Sequence, residues 1–293
     1  MNHLSNLSLH VQTTFEHLPL EILINVTEFL FTKDILNLSI CSKYLHNVLY
    51  AVKIDEKVNF DTISRLSYFD SFTNVMYRNY RDERFPKSLC VLYWYCIDIV
   101  PKLPITLKSL YISVNYNEPL TQLPNSLEDL YLGRQFNHPL VQLPDSLKSL
   151  QLSTCYTQSL PQFPDSLESL NLGYNYDHRL PLLPNSLKYL DLGDNYNYLL
   201  LRLPDSLVSL KLGYSYTQRL PQLPISLKYL NLGWLYNHPL SQLPDSLESL
   251  ILGCYYNQPI STILQNANSL RYLKVRRGFL LPSLSDNIKV EFF

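Results

Sequence analysis

Leucines recur through the second half of the chain at fixed positions of a twenty-residue repeat. One repeat begins at Pro124 and reads PNSLEDLYLGRQFNHPLVQL, and eight such repeats run from Pro104 to Ile263. In each repeat two apolar residues are separated by one residue, as at Leu130 and Leu132, which is the two-residue period of a β-strand. One strand per repeat in a constant register predicts a solenoid with a single parallel sheet.

The segments between the predicted strands carry a proline in every repeat. Proline disfavours a regular helix because it has no amide N–H to donate, so we expect extended or 3₁₀ segments there. Six of the seven glycines share one column with Ser113 and Ser153. This column is therefore predicted to require a small residue rather than a left-handed backbone. A column of aromatic residues is predicted to lie in the core: Tyr116, Phe136, Tyr156, Tyr176, Tyr196, Tyr216, Tyr236 and Tyr256.

A column of alternating charge supports the stacking of the repeats. Its members are Lys108, Glu128, Lys148, Glu168, Lys188, Val208, Lys228, Glu248 and Arg271. No two neighbours in this column carry like charge. Equivalent residues of stacked strands lie about 4.8 Å apart, and opposite charges at that distance attract. The column therefore predicts ion pairs between successive repeats.

Apolar residues at helical spacing predict about three short helices within residues 17–50. Ile22 and Leu23 belong to the first helix, and Thr32 is predicted to cap the second. A segment this short has more apolar positions than it can bury by itself. We expect it to need a partner surface, which is either the solenoid or another protein.

Two motifs resemble known families. The LPLEIL sequence that begins at Leu18, the DIL step at Asp34 and the SKY step at Ser42 resemble an F-box. The repeat resembles the leucine-rich repeat and, through the Tyr-Asn-x-Pro-Leu step kept at Pro239, the FNIP repeat. The pairing is similar to the F-box and FNIP repeat-containing proteins of giant DNA viruses of amoebae, and it covers residues 17–263. The Tyr-Asn-x-Pro-Leu step of the FNIP repeat is broken in the repeats that carry Thr157, Arg179, Leu199 and Arg219.

This resemblance implies a substrate-recognition subunit of a cullin–RING ubiquitin ligase of the SCF type. The F-box would dock a Skp-type adaptor and, through it, a cullin, while the repeats would bind a protein substrate. The alternative is a non-catalytic repeat scaffold or decoy whose N-terminal helices only cap the solenoid. The residues expected to contact the adaptor are Leu18, Pro19, Ile22, Leu23, Leu30, Ile35 and Leu36.

Strand residues that flank the inward leucines are predicted to lie on the opposite face of the sheet. This face combines aromatic and charged residues on a constant scaffold, and tyrosine and tryptophan are common interface anchors. The predicted substrate-binding residues are Tyr131, Tyr189, Asp191, Lys211, Tyr214, Tyr229 and Trp234. The alternative, that these aromatic residues only pack across the sheet, stays open at this point.

The predicted fold class is α+β, with a small three-helix F-box before a leucine-rich-repeat-like solenoid. We expect a flexible N-terminus at 1–16, the F-box at 17–50, and a linker with an N-terminal solenoid cap at 51–103. The eight repeats occupy 104–263, and a C-terminal cap occupies 264–293.

Charge and composition narrow the classes of function. The formal net charge of −1 argues against nucleic-acid binding, which needs concentrated lysine and arginine. The sequence has no apolar run long enough for a membrane span and no signal peptide at its N-terminus. Five scattered cysteines without disulfide or zinc spacing favour a reducing compartment. We expect a cytoplasmic protein, in the host cytoplasm if it is viral, with no cofactor and no metal site.

Catalysis is not expected. No Ser/His/Asp, Cys/His or paired-carboxylate arrangement stands out. Twenty-residue repeats with proline turns also resemble those of secreted bacterial ubiquitin ligases, which carry a separate catalytic cysteine domain. Only about thirty residues follow Ile263, too few for such a domain.

Overall fold

The computed structural model describes residues 18–27, 29–78, 84–265, 267–284 and 287–293. The predicted flexible N-terminus at 1–16 lies outside the described residues. The chain divides into two compact units. The first comprises the chain up to Cys96 together with Pro104–Lys108, and the second comprises Ile97–Leu103 and Ser109–Phe293.

The first unit contains short helices and three parallel strands, with one helix and a 3₁₀ turn between the first two strands. Its described helices are α1 (Leu20–Thr27), α2 (Thr32–Ser39), α3 (Lys43–His46), α4 (Val48–Ala51) and α5 (Phe60–Ile63), with a 3₁₀ turn at Phe69–Ser71. Its described strands are β1 (Val58–Asn59), β2 (Asn74–Tyr77) and β3 (Val91–Trp94), paired in chain order. The predicted Thr32 cap is wrong, because α2 begins at Thr32 and its N-cap is Phe31. Ser42 does cap α3, since its hydroxyl accepts from the Leu45 N–H at 3.1 Å.

The second unit is built from ten further described strands. They are β4 (Ser109–Ile112), β5 (Asp129–Tyr131), β6 (Ser149–Gln151), β7 (Ser169–Asn171), β8 (Tyr189–Asp191), β9 (Ser209–Lys211), β10 (Tyr229–Asn231), β11 (Ser249–Ile251), β12 (Tyr272–Val275) and β13 (Lys289–Phe292). Each pairs in parallel with the next along the chain, and from β4 to β11 the register shift is one repeat, as between Leu130 and Leu150. The predicted solenoid with a parallel sheet is confirmed.

Each repeat enters its strand through the same tight turn. The N–H of Leu127 donates to the carbonyl of Pro124 at 3.0 Å, and the bond recurs in every repeat up to Leu247 and Pro244. The segments between β4 and β11 contain no described helix. A helix, α6 (Ser261–Gln265), follows β11. There Leu264 stands at the proline position and its N–H donates to the Ile260 carbonyl at 2.9 Å, a bond that proline cannot make.

The aromatic column lies in the core, as predicted. All eight residues from Tyr116 to Tyr256 are at most 1% exposed, and neighbouring rings stack with centroids 6.3 Å apart. The leucines on either side, such as Leu130 and Leu170, are equally buried. The continuous ring stack and the leucine columns therefore form one core along the second unit.

Alkaline pH is expected to destabilise the second unit. Burial raises the pKa of the column tyrosines above the ordinary value of 10.0, to about 12 for Tyr196 and Tyr256. The folded-state pKa lies above the unfolded one, so keeping these hydroxyls protonated contributes to the free energy of unfolding. This contribution to stability is complete below about pH 10 and is lost as the pH rises towards about 12. Urea unfolding at a series of pH values should give a free energy that falls only above about pH 10. The free energy of unfolding of a Tyr196→Phe variant should fall less steeply with pH than that of the wild type. An identical slope for the two proteins would contradict this explanation.

The glycine column requires closer packing than the sequence indicates. A methyl group added at Gly193 would lie 1.7 Å from the carbonyl oxygen of Gly173 in the preceding repeat. The backbone is also left-handed at Gly173, Gly193 and Gly233, with φ between 67° and 73°. The prediction that no left-handed backbone is needed is therefore wrong at these three positions. In each of them an Asn or Asp two residues earlier accepts from the glycine N–H, as Asp191 does at 3.0 Å.

The alternating charges pair between repeats. The pairs are Lys148–Glu128 at 2.7 Å, Lys188–Glu168 at 2.8 Å and Lys228–Glu248 at 2.8 Å. Val208 lies between two lysines of the column, where it avoids a repulsive contact. The prediction of ion pairs between successive repeats is confirmed for these three pairs.

Candidate protein-interaction surfaces

Large apolar side chains are exposed on the helical part of the first unit. Phe29 is 87% exposed, Phe31 83%, Ile40 81% and Ile22 46%. Ile22 lies on α1, the two phenylalanines flank the turn between α1 and α2, and Ile40 follows the end of α2. These four residues are called the helical apolar surface below. Four large exposed apolar side chains within one short segment make it a candidate protein-binding site.

The residues predicted to contact an adaptor divide into exposed and buried groups. Pro19 and Ile22 are exposed, whereas Leu23 is 0% and Ile35 6% exposed. Leu18, Leu30 and Leu36 are half-buried. The assignment of Leu23 and Ile35 as contact residues is corrected, because a partner cannot reach them in this conformation. They belong to the core that holds the helices together, and Phe29, Phe31 and Ile40 are exposed in their place.

Hydrogen bonds fix the start of the helical segment. The Tyr44 hydroxyl, on α3, donates to the Leu18 carbonyl at 2.7 Å. The Pro19 carbonyl accepts from the N–H groups of Ile22 and Leu23 at 3.0 and 3.2 Å, and so it closes the first turn of α1. The aromatic residue of the SKY step thus anchors the segment that leads into α1.

The other side of the helices is covered by the segment that follows. Val48 and Leu49 on α4 are each 1% exposed. The Ser71 hydroxyl donates to the Leu49 carbonyl, and the N–H of Ile54 donates to the Ser71 carbonyl at 2.8 Å. One side of the helical segment is therefore packed within the first unit, while the helical apolar surface stays open.

Four of the predicted substrate-binding aromatic residues are exposed, two on strands of the second unit (Tyr189 and Tyr229) and two in the turns just after a strand (Tyr214 and Trp234). Tyr189 is 51% exposed, Tyr214 50%, Tyr229 47% and Trp234 41%. Tyr189 and Tyr229 occupy the same position two strands apart, with Ser209 between them. These two tyrosines therefore do not stack on each other across the sheet. Tyr131 differs, since it is half-buried and stacks on Tyr111 at 4.5 Å.

Three rings form a stack at one edge of this face. Tyr214 and Trp234 stack with centroids 5.7 Å apart and an angle of 13°. Phe293 stacks on Trp234 at 6.5 Å. Phe293 is a site residue that the sequence reasoning missed. Phe293 follows β13, which pairs with β12 at a spacing of seventeen residues (Val275 with Phe292) instead of twenty, so the repeat gives no register for it.

The two charged residues predicted on this face are paired with each other. Lys211 Nζ lies 2.8 Å from the Asp191 carboxylate, whose other oxygen accepts from the Gly193 N–H at 3.0 Å. Asp191 therefore stabilises the turn after its own strand. Because Asp191 and Lys211 neutralise each other, they offer a binding partner less charge than two unpaired side chains would.

The described residues show no cluster that would hold a metal ion and no helix that would span a membrane. No group of three or more His, Cys, Asp or Glu side chains with a metal-binding arrangement is found among them. The ring nitrogens of His138, His178 and His238 instead bond to backbone carbonyls of the preceding repeat at 2.7–2.9 Å. None of the described helices is long and apolar enough to pass through a membrane.

A leucine-rich-repeat-type solenoid and a small helical domain with exposed apolar residues are the architecture of a protein-interaction scaffold. Seven stretches, at residues 99–135, 116–155, 156–195, 176–215, 199–234, 216–255 and 236–265, match the FNIP Repeat, and residues 15–57 match the F-box domain. The FNIP matches span more than half of the chain, which therefore belongs to the FNIP repeat family and also carries an F-box domain. F-box domains generally bind Skp-type adaptors, and repeats of this kind bind proteins.

Solved structures with similar folds are leucine-rich-repeat proteins. CroV588, described as a novel circular LRR protein, has 26% sequence identity and a TM-score of 0.57, and the match covers 76% of this chain and 43% of that one. YopM from Yersinia enterocolitica has 22% identity and a TM-score of 0.47, with 76% and 64% covered. The chain thus spans less than half the length of CroV588. No curated protein matches the sequence significantly.

Proposed function

We propose that this protein is the substrate-recognition subunit of an SCF-type cullin–RING ubiquitin ligase. Its F-box binds a Skp-type adaptor and, through the adaptor, a cullin, while the repeats bind a protein substrate in the cytoplasm. If the protein is viral, that is the host cytoplasm. The protein itself performs no catalytic step in this proposal, since ubiquitin transfer belongs to the other subunits.

The helical apolar surface is the observation that carries the proposal. Phe29, Phe31 and Ile40 are each more than 80% exposed although they adjoin a well-packed helical core. Burying each of these side chains in a complex would gain about 1.5–3 kcal/mol. The surface lies within the F-box match at residues 15–57, where a Skp-type adaptor binds. The Leu18–Pro19 segment adjoins it through the first turn of α1.

Adaptor binding by the full chain is the direct test. A Phe31→Ala/Ile40→Ala variant is expected to weaken binding to a purified Skp-type adaptor by about thirtyfold or more, since buried interface anchors each contribute about 1–2 kcal/mol. A Leu18→Ala/Pro19→Ala variant is expected to lose binding as well. The matched control is Ile225→Ala, because Ile225 is 84% exposed but lies in a repeat turn. Calorimetry with the three variants measures each change.

Two results would contradict the proposal. The first is a wild-type chain that does not bind the adaptor, and the second is a Phe31→Ala/Ile40→Ala variant that binds as tightly as the Ile225→Ala control. Circular dichroism shows whether the variants keep their helices. Phe31, Ile40 and Ile225 are exposed, so we expect no change in folding for those variants. Leu18 is half-buried, so loss of binding by the Leu18→Ala/Pro19→Ala variant counts only if its helices are kept.

The second candidate is a scaffold whose helices serve only as a cap. The burial of Val48 and Leu49 and the bond from Ser71 to the Leu49 carbonyl favour a capping role. Removal of residues 1–50 is therefore expected to lower the melting temperature under both candidates. Adaptor binding separates them, because a cap without an adaptor leaves the helical apolar surface without a function.

A further inference from the structure

One carboxylate on the sheet face of the second unit is placed differently from the others. Asp194 is half-buried and follows Gly193 at the end of β8. Its side chain has neither an ion pair nor a hydrogen bond to any other described residue, whereas nearby Asp191 is paired with Lys211 at 2.8 Å. Asp194 thus contributes an uncompensated negative charge to this face.

Aromatic residues occupy the equivalent positions on either side of Asp194. The position reads Tyr174, Asp194, Tyr214 and Trp234 in four successive repeats. Backbone bonds keep these repeats in register: the Asn195 N–H donates to the Tyr174 carbonyl at 3.0 Å, and the Ser215 N–H donates to the Asp194 carbonyl at 2.8 Å. Tyr174 and Tyr214 are 49% and 50% exposed.

The ring stack leaves one face of Tyr214 open towards Asp194. Trp234 covers the other face of Tyr214 at 5.7 Å, and Phe293 in turn stacks on Trp234. Among the rings of the described residues, none stacks on the Tyr214 face that looks towards the Asp194 repeat. The stack therefore ends beside the carboxylate.

The space between Tyr174 and Tyr214, called the slot below, has dimensions that suit a cation. Tyr174 and Tyr214 are two repeats apart, so their backbones are separated by about 9–10 Å. A cation held midway would lie about 5 Å from each ring position, within the roughly 6 Å over which a cation is attracted to an aromatic face. Asp194 occupies the equivalent position in the repeat between them. Carboxylate and ring faces together favour an ammonium group over an anion or a neutral polar group.

We propose that the slot formed by Tyr174, Asp194 and Tyr214 binds a lysine side chain of the protein substrate. This inference rests on the proposed function of the repeats and adds the chemistry of the group that they recognise. The slot selects a lysine because its apolar stem passes between the rings while its ammonium reaches the carboxylate. Trp234 supports the slot by holding the Tyr214 ring in place.

Peptide titration of the isolated full chain tests the slot without any adaptor. The probes are two short glycine peptides with a central residue that is either lysine or norleucine, its uncharged counterpart. The chain has two tryptophans, and Trp94 is 0% exposed, so the Trp234 indole signal in NMR spectra reports on the slot. The lysine peptide is expected to shift this signal with millimolar affinity, more weakly at high salt, and the norleucine peptide is expected to leave it unchanged.

Variants identify the residues responsible. Asp194→Asn and Tyr214→Ala are each expected to weaken lysine-peptide binding about fivefold. Asp145→Asn is the matched control, because Asp145 is an exposed aspartate in a repeat turn, and it should bind the peptide like the wild type. Equal binding of both peptides, or an Asp194→Asn variant that binds like Asp145→Asn, would overturn the proposal. A failed adaptor assay would refute the ligase assignment without altering this titration.

Discussion

Replacement of Tyr216 by alanine is expected to destabilise the protein by about 3–5 kcal/mol, as large aromatic-to-alanine changes in cores do. Tyr216 is 0% exposed, and its ring stacks on Tyr196 and on Tyr236, each at 6.3 Å. The change would leave a cavity in the middle of a continuous column. Because both neighbouring repeats hold their own rings through the same contacts, they cannot collapse into the space.

The phenylalanine variant separates the ring from its hydroxyl. Tyr216→Phe keeps the stack and removes a buried hydroxyl whose contact with the Leu200 backbone is too weak to count as a full hydrogen bond, so we expect it to be close to neutral. Phe136 already occupies the same position in its own repeat and is equally buried. Urea unfolding of both variants measures the difference. If Tyr216→Phe were as destabilising as Tyr216→Ala, the stability would come from the hydroxyl and the stacking explanation would be wrong.

Replacement of Gly193 by alanine is expected to cost about 3 kcal/mol. One contribution is the left-handed backbone, with φ of 67°, which costs an L-residue about 1–2 kcal/mol. The other is the methyl group itself, 1.7 Å from the Gly173 carbonyl oxygen, which forces a backbone shift of the kind that costs about 1–3 kcal/mol. The shift would also weaken the contact between two repeats, on which solenoid stability depends.

Gly278 provides the matched control for this change. Its φ is 79°, but a methyl group there would meet nothing within 4 Å. Gly278→Ala should therefore show the backbone cost alone, about 1–2 kcal/mol. Thermal or urea unfolding of the two variants gives both values. A Gly278→Ala cost equal to that of Gly193→Ala would mean that the close approach between repeats contributes nothing.

The solenoid could be predicted from the sequence because each structural requirement recurs in every copy. The leucines at 130 and 150 pair in register, and the rings from Tyr116 to Tyr256 are buried as their column indicates. A repeated pattern averages out local ambiguity, since a wrong assignment in one copy is contradicted by the next. Where the repeat ends, this check disappears. Neither α6 nor the register of β13 could be predicted.

The conformation of each glycine in the column depends on the residue two positions earlier in the chain. Gly193 is left-handed and Gly213 is not, and the residue two positions earlier is Asp191 in one case and Lys211 in the other. A carboxylate or amide side chain can accept from the glycine N–H and stabilise the left-handed turn. An Asn or Asp before Leu-Gly is therefore a readable signal, but it concerns a pair of positions and no single column reveals it.

The contact residues of the candidate sites were only partly predictable. The helical spacing correctly indicates that Ile22 and Leu23 lie on α1, but it does not say which of them the following segment covers. Leu23 is buried and Ile22 is exposed because α1 packs on the rest of the first unit through one side only. Phe31 and Ile40 lie at the boundaries of α2, where periodicity no longer assigns a face.

The ion pairs of the charged column bear on how this solenoid can change in length. Lys148 pairs with Glu128 and Lys188 with Glu168, so lysine and glutamate alternate from one repeat to the next. Duplication of a single repeat would set two like charges side by side, whereas duplication of two adjacent repeats would preserve the alternation. Several FNIP matches, such as 116–155 and 156–195, also span two repeats each. Where lysine and glutamate alternate, gene duplication can therefore lengthen this solenoid without electrostatic penalty only in steps of two repeats, whereas the repeat that carries the uncharged Val208 can be duplicated singly.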